Sequence, residues 1–192
     1  MAEEAEKLKD ILSDDRLERE LLDRRRVFLW GAIDDKMAEK VVKRILYLEE
    51  KGSGEPITIL VNSPGGVYTS GMAIYDVMQG MKSPITTVCM GQAASFGAVI
   101  LCAGTKGKRV AWPHARVMIH QPLIAGKVYG PASDIDIEAE QMMKVREELN
   151  SILAQHTGQP MEKIEKDTDR NYYMTAEEAK AYGLVDEVGL VM

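Results

Sequence analysis

An α/β fold of repeated strand–helix units, carrying one long projecting helix, is what this sequence predicts, and three observations predict it. Short apolar runs rich in β-branched residues, Ile57-Thr58-Ile59-Leu60-Val61 and Ile85 to Met90, are each followed by small residues and then by a helix-length segment. That alternation places helices over a sheet. Glycines mark the junctions, at Gly65-Gly66 and between Gly91 and Gly97, where a backbone must turn tightly from strand to helix. Finally, Ala132 to His156 places Ile135, Ala139, Met142, Val145, Leu149 and Ile152 along one side. A helix of about 25 residues spans close to 40 Å at 1.5 Å per residue. It must project from a domain of this size, and its apolar stripe calls for a partner.

The elements follow in order. Asp14 to Arg26 has Leu17, Leu21 and Leu22 at helical spacing, and Arg24-Arg25-Arg26 would complement the dipole as a solvated last turn. Val27 to Trp30 reads as a short strand. From Asp34 to Lys51 the residues Met37, Val41, Ile45 and Leu48 share a helix face, and Gly52 stops it. After the strand at 57–61 a helix is expected from about Thr69 to Met81; after the strand at 85–90, another from Ala93 to Ala103. Arg109 to Trp112 and Ala115 to His120 read as two neighbouring strands, the second stopped by Gln121-Pro122. Leu123 to Pro131 is an apolar, glycine-containing connection. Pro160 opens a helix running to about Thr168. Thr175-Ala-Glu-Glu178 is a capping box for a helix ending at Gly183, and Val185 to Val188 forms a last strand.

Composition narrows the function classes. At 192 residues the chain suits one domain with a charged segment, 1–26, ahead of a body at 27–192. A net charge of −6 gives no electrostatic basis for binding nucleic acid or an anionic membrane. No apolar run approaches membrane-spanning length, and the first six residues are acidic rather than a basic lead into an apolar stretch. A cytoplasmic protein is the expectation. Cys89 and Cys102 both lie in apolar segments and read as small buried hydrophobes, not as a disulfide. Met72, Met78 and Met81 fall on helical spacing and read as core filler. The Gly104 to Arg109 turn lacks the spacing of a phosphate-cradling loop, and no metal-ligand cluster is visible.

Chemistry concentrates around Ser95. It sits where a strand becomes a helix, so the free N–H groups of the first helical turn favour nearby negative charge. In isolation a serine among alanines and glycines is a packing residue; partners elsewhere change that reading. Asn62-Ser63-Pro64-Gly65-Gly66 ends a strand with paired glycines, whose N–H groups can face a ligand without Cβ obstruction. Ala115 to His120 ends a strand in a histidine. His114, in a loop, and His156, near a helix end, read as surface residues.

These segments resemble the proteolytic subunit of the Clp protease. The resemblance rests on Asn62-Ser-Pro-Gly-Gly66, Gly91-Gln-Ala-Ala-Ser95-Phe-Gly97, Gly104-Thr-Lys-Gly-Lys-Arg109, Met118-Ile-His-Gln-Pro122, His156-Thr-Gly158 and Tyr182-Gly-Leu-Val-Asp186. All six stand in the family's order, over about Val27 to Val188. The resemblance implies a crotonase-type α/β fold and a self-compartmentalised serine peptidase that degrades unfolded proteins. It implies two stacked heptameric rings, of one chain or of mixed subunits, fed by a hexameric AAA+ unfoldase that uses the ATP; this chain itself would need no cofactor. Ser95 matches the nucleophile, His120 the base, and the N–H groups of Gly66 and Phe96 the oxyanion hole. Asp169 and Arg170 match a pair that links the rings, and 121–157 matches the handle between them. The acidic first dozen residues do not match the family's entrance segment, and the stretch between His120 and the long helix is slightly longer than the family norm.

The third triad position departs from the family. Where the family has Asp-Thr-Asp-Arg-Asp, this chain reads Asp167-Thr168-Asp169-Arg170-Asn171. A carboxylate fixes the histidine tautomer and stabilises the imidazolium; an amide oxygen can do only the first. At an effective dielectric near 20 and about 4 Å, a unit charge pair contributes roughly 4 kcal/mol. That is about a thousandfold in rate. Cys-His-Asn sites nevertheless show asparagine orienting a histidine productively. Asp167 and Asp169 are expected to face solvent. A Ser95-His120-Asn171 peptidase of reduced intrinsic activity is the leading expectation, with a structural subunit that needs an active paralogue as the alternative. A more remote alternative is a crotonase-like acyl-CoA enzyme, with Gly65-Gly66 holding a thioester oxygen.

Overall fold

A computed structural model describes residues 14–123 and 130–190 of the chain. The acidic first dozen residues and most of the Leu123 to Pro131 connection lie outside the described residues. Seven strands form one sheet: β1 (Arg26–Trp30), β2 (Ile57–Ser63), β3 (Ile85–Ala94), β4 (Arg109–Ala111), β5 (Arg116–Ile119), β6 (Tyr172–Thr175) and β7 (Glu187–Val188). Among the described residues seven helices accompany them: α1 (Asp14–Asp23), α2 (Asp35–Lys51), α3 (Tyr68–Gly80), α4 (Phe96–Cys102), α5 (Ala132–Thr157), α6 (Met161–Thr168) and α7 (Ala176–Tyr182). The order β1-β2-β3-β4-β7 is parallel throughout; β5 runs parallel to the far half of β3, and β6 pairs antiparallel with β5.

Local sequence accounts for most boundaries. Asp34 caps α2 by accepting from Met37 N–H at 2.8 Å. Ala38, Val41, Ile45 and Leu48 then bury the face that the spacing predicted, and Gly52 N–H bonds back to Leu48 O. At α7 the capping box is complete: Thr175 Oγ1 accepts from Glu178 N–H and a Glu178 carboxylate oxygen accepts from Thr175 N–H. The main core lies between the sheet and its helices and includes Leu29, Ile45, Ile59, Ile74, Ile100, Leu101, Ile119 and Ile164, all fully buried. Each such side chain contributes roughly 1.5–3 kcal/mol of transfer free energy. Leu60, Val88 and Val110 form a smaller cluster with the partly buried Phe28, Met90 and Trp112. Met78 is buried in the main core, and the partly buried Met72 and Met81 pack against that core.

Several expectations need correction. The helix expected from Ala93 starts at Phe96, because β3 continues through Ala94 and pairs Gln92, Ala93 and Ala94 with Arg116, Val117 and Met118. β4 and β5 are not paired with each other; they occupy successive stretches of β3. β6 was not predicted at all. The arginines after α1 lie outside its last turn: α1 ends at Asp23, Arg25 has φ +59°, and Arg26 opens β1. Arg25 is not solvated either, for its guanidinium donates to the carbonyls of Leu48, Gly52, Glu55 and Pro56, so it caps the C-terminus of α2.

His156 is half-buried rather than on the surface. Its Nε2 lies 3.0 Å from the Tyr75 hydroxyl, and burial together with Arg109 holds its pKa below the ordinary histidine value. Asp167 also turns inward, accepting from Lys163 and, at 2.9 Å, from Tyr182. Burial alone would raise its pKa, but those two donors outweigh burial and lower it. The long helix changes character along its length. Pro131 to Gln141 is exposed throughout, Ile137 and Met143 being 55% and 59% accessible, whereas Asn150, Ile152 and Leu153 are buried against the body. Among the described residues no helix is long and apolar enough to cross a membrane.

Candidate active site

Ser95 occupies the single residue between β3 and α4. Its N–H donates to Met118 O at 2.8 Å, continuing the β3–β5 ladder by one bond, while its carbonyl accepts from Ala98 N–H and starts the helix. Serving both elements forces φ to +56° and ψ to −126°, a conformation that L-residues adopt only under constraint. The side chain is thereby held out of both ladders. α4 has only seven residues, so what it offers is the free N–H groups of its first turn, Phe96 foremost, rather than a long helix dipole.

The second wall comes from the β2–α3 junction. Gly65 has φ +90°, and a Cβ on it would lie 2.6 Å from Ser95 Cβ and 2.9 Å from Phe96 N. Only glycine lets this backbone approach the serine. At Gly66 a Cβ would meet Ile33 O at 2.1 Å. Gly66 sits in a parallel bridge with Ile33 that uses Gly65 O and Val67 N–H, and the bridge leaves the N–H of Gly66 itself uncommitted. Phe96 packs edge-on against Tyr68, at 6.2 Å between ring centres. Tyr68 in turn donates to Glu148 on α5 at 2.5 Å, and burial together with that carboxylate pushes its pKa up to about 12.

The third wall carries the histidine. β5 and β6 pair Met118 with Tyr173 and Ile119 with Tyr172, so the next residues in register are His120 and Asn171. Their side chains meet, with His120 Nδ1 at 2.9 Å from Asn171 Oδ1. An amide oxygen only accepts, so this contact calls for a proton on His120 Nδ1. Ser95, Phe96, Gly66 and His120 all line one cleft of about 870 Å³, which Met142, Val145 and Leu149 of α5 also line. Among the described residues the Ser95 hydroxyl has no hydrogen-bond partner, and Asn171 is the side-chain partner of His120. Serine and histidine therefore share the cleft without being bonded to each other.

The remaining candidates lie close by. Asp169 is 3.9 Å from Arg146 and 3.8 Å from Arg170, whose side chain is 88% exposed. Asp169 and Arg170 line a smaller cavity of about 340 Å³ that also includes His120 and Asn171. Cys89 and Cys102 are free and buried, and burial pushes their thiols up to about 11 and about 12. Among the described residues no group of His, Cys, Asp or Glu side chains could hold a metal ion. Sequence reading missed Gln121 as anything but a strand stop, although its side chain reaches Asp169 O at 2.7 Å. It also missed the bond from Tyr68 to Glu148. Neither carries a sequence signal, because each joins segments distant along the chain.

The family model described as Clp protease matches residues 9–191. The chain belongs to the Clp protease family. Members of the Clp protease family are serine peptidases of mixed α/β fold with a mostly parallel sheet, and the sheet described above agrees with that fold. Membership in the Clp protease family gives the acyl-CoA alternative no support.

Proposed function

We propose that this chain is a serine endopeptidase subunit of a self-compartmentalised, ATP-dependent Clp-type protease that cuts unfolded proteins to peptides. Ser95 Oγ attacks the scissile carbonyl while His120 Nε2 takes its proton, forming a tetrahedral oxyanion. The N–H groups of Gly66 and Phe96 receive that oxyanion. His120 then returns the proton to the leaving amine, and a water molecule, activated the same way, releases the acyl group from Ser95. Asn171 accepts from Nδ1–H throughout and keeps the Nε2 lone pair available. The single observation that carries this reading is the 2.9 Å contact between His120 Nδ1 and Asn171 Oδ1 in the cleft that Ser95 lines. Bonds between nucleophile and base often tighten only when substrate fills the site.

The same reading gives the chain its partners. The exposed outer half of α5, with Ile135, Ile137 and Met143 uncovered, fits a handle between two stacked heptameric rings of this chain or of mixed subunits. The exposed Arg170 beside Asp169 fits a link across that junction. A hexameric AAA+ unfoldase would spend the ATP, leaving this chain without a cofactor, and the charged segment 1–26 would face partners ahead of a single peptidase domain at 27–192. The protease would work in the cytoplasm, in keeping with two free thiols in its core.

One observation favours a second reading. Position 171 holds an amide, which withholds roughly 4 kcal/mol of charge stabilisation from the imidazolium at an effective dielectric near 20. The chain would then be a weakly active or structural subunit of a mixed ring that relies on an active paralogue. Labelling with a serine-directed fluorophosphonate separates the two. Modification of Ser95 in the pure protein supports autonomous activity; modification only after mixing with paralogous subunits supports activation by a partner; none in either supports a scaffold.

A further inference from the structure

Gln121 follows His120 directly, and its hydrogen bonds run to the loop that carries Asn171. Its backbone N–H donates to Thr168 O at 2.5 Å, and its side-chain Nε2 donates to Asp169 O at 2.7 Å. Thr168 is itself fixed. It is fully buried, and its hydroxyl lies 3.0 Å from Asn150 Oδ1 of α5 and 2.8 Å from Ile164 O. Gln121 thus ties the end of β5 to a point anchored in two helices.

That tie sits where the sheet stops. The last paired residues of β5 and β6 are Ile119 and Tyr172, so His120 and Asn171 stand one step past the ladder. On the β5 side the next restraint beyond His120 is Gln121. On the other side the chain from Thr168 to Asn171 is the segment Gln121 holds.

An amide at 171 makes this restraint matter more than a carboxylate would. A carboxylate presents two acceptor oxygens, so a rotation still leaves an acceptor facing Nδ1–H. An amide presents one, and half a turn replaces it with a donor that stabilises the opposite tautomer and occupies the ring nitrogen from the wrong side. Among the described residues Asn171 Nδ2 has no acceptor that would hold it the right way round. The amide is held the right way round only by its bond to His120, and the backbone that carries Asn171 sets whether that bond is within reach.

We infer that Gln121 is a positioning residue: by clamping the Thr168 to Asn171 loop to the end of β5, it keeps the amide oxygen of Asn171 on His120 Nδ1. The inference rests on the Ser95-His120-Asn171 reading above and adds a dependence peculiar to an amide triad.

The experiment is a double-mutant cycle of Gln121→Ala and Asn171→Asp in the full chain, read with a short fluorogenic peptide and with fluorophosphonate labelling. Gln121→Ala should lower kcat about tenfold with KM nearly unchanged, but by less than about twofold when combined with Asn171→Asp. Sedimentation should be the same for all four proteins. Equal losses in both backgrounds, or losses that follow altered sedimentation, overturn the inference. An independent measurement needs no turnover: ¹⁵N shifts of the His120 ring, assigned with a His120→Gln control. They should report Nδ1–H in the unaltered protein and a tautomer mixture in Gln121→Ala; an unchanged tautomer also overturns the inference. If neither the unaltered protein nor Asn171→Asp reacts with fluorophosphonate, the peptidase reading fails, while the ring shifts still decide what Gln121 does.

Discussion

His120 and Asn171 stand opposite each other one step beyond the last paired residues of β5 and β6, and their side chains close the 2.9 Å gap that the sheet leaves there. A histidine and its hydrogen-bond partner, 51 positions apart in sequence, are thus cross-strand neighbours. Such neighbours have Cβ atoms only about 5 Å apart, close enough to interact without long loops to position them. The consequences can be tested.

Replacing Asn171 with Asp supplies the missing charge with almost no change of shape. Peptide turnover of the pure protein should rise, by up to about a thousandfold if the full charge interaction is recovered. Steady-state kcat/KM of both proteins is the measurement. No rise would mean that another step limits the rate.

Gly65→Ala puts a Cβ 2.6 Å from Ser95 Cβ in a backbone that already has φ +90°. The left-handed conformation alone costs an L-residue about 1–2 kcal/mol, and the contact adds to it. The variant should lose fluorophosphonate labelling while retaining its circular dichroism spectrum. Gly54→Ala is the control: it shares φ +90° but has open space around its Cβ. It should lose stability without losing labelling.

Arg109 is buried and bonded to Asp186, which also accepts from the N–H groups of Gly107 and Arg109. Burial would raise the Asp186 pKa, but the Arg109 bonds outweigh it and hold the carboxyl below the ordinary range. A carboxyl depressed on folding adds stability above its unfolded pKa and loses it as pH falls through the folded value. Asp186→Asn should therefore be less stable by about 3 kcal/mol near pH 7, because Arg109 is left with an uncompensated buried charge. Denaturant titrations at several pH values should show that gap shrinking below about pH 4.

Cys89 and Cys102 should resist alkylation in the native protein. With the thiols pushed up to about 11 and about 12, little thiolate exists at pH 8, and both are buried. Iodoacetamide followed by mass spectrometry should find both unmodified until denaturant is added, and then both modified.

Most helices and the parallel strands were legible in the sequence because their signals are short-ranged. The face of α2 repeats every three or four residues, the capping box of α7 spans Thr175 to Glu178, and the glycines at 65 and 66 mark their own junction. Even the candidate residues could be named, because each sits in a local motif. What those motifs did not contain was β6. Its four residues, Tyr172–Thr175, show little alternation and run straight into α7, so only β5 lying alongside makes them a strand. The same holds for Arg25, whose four carbonyl partners lie 23 to 31 residues away, and for His156, buried by Tyr75 and Arg109. The sequence by itself determined most helices, the parallel strands and the local motifs in which the candidate residues sit, since periodicity and capping act within one or two turns. Only the tertiary structure decided that β5 and β6 meet antiparallel in the register that sets His120 against Asn171, since pairing between distant segments depends on which edges the packed core leaves side by side.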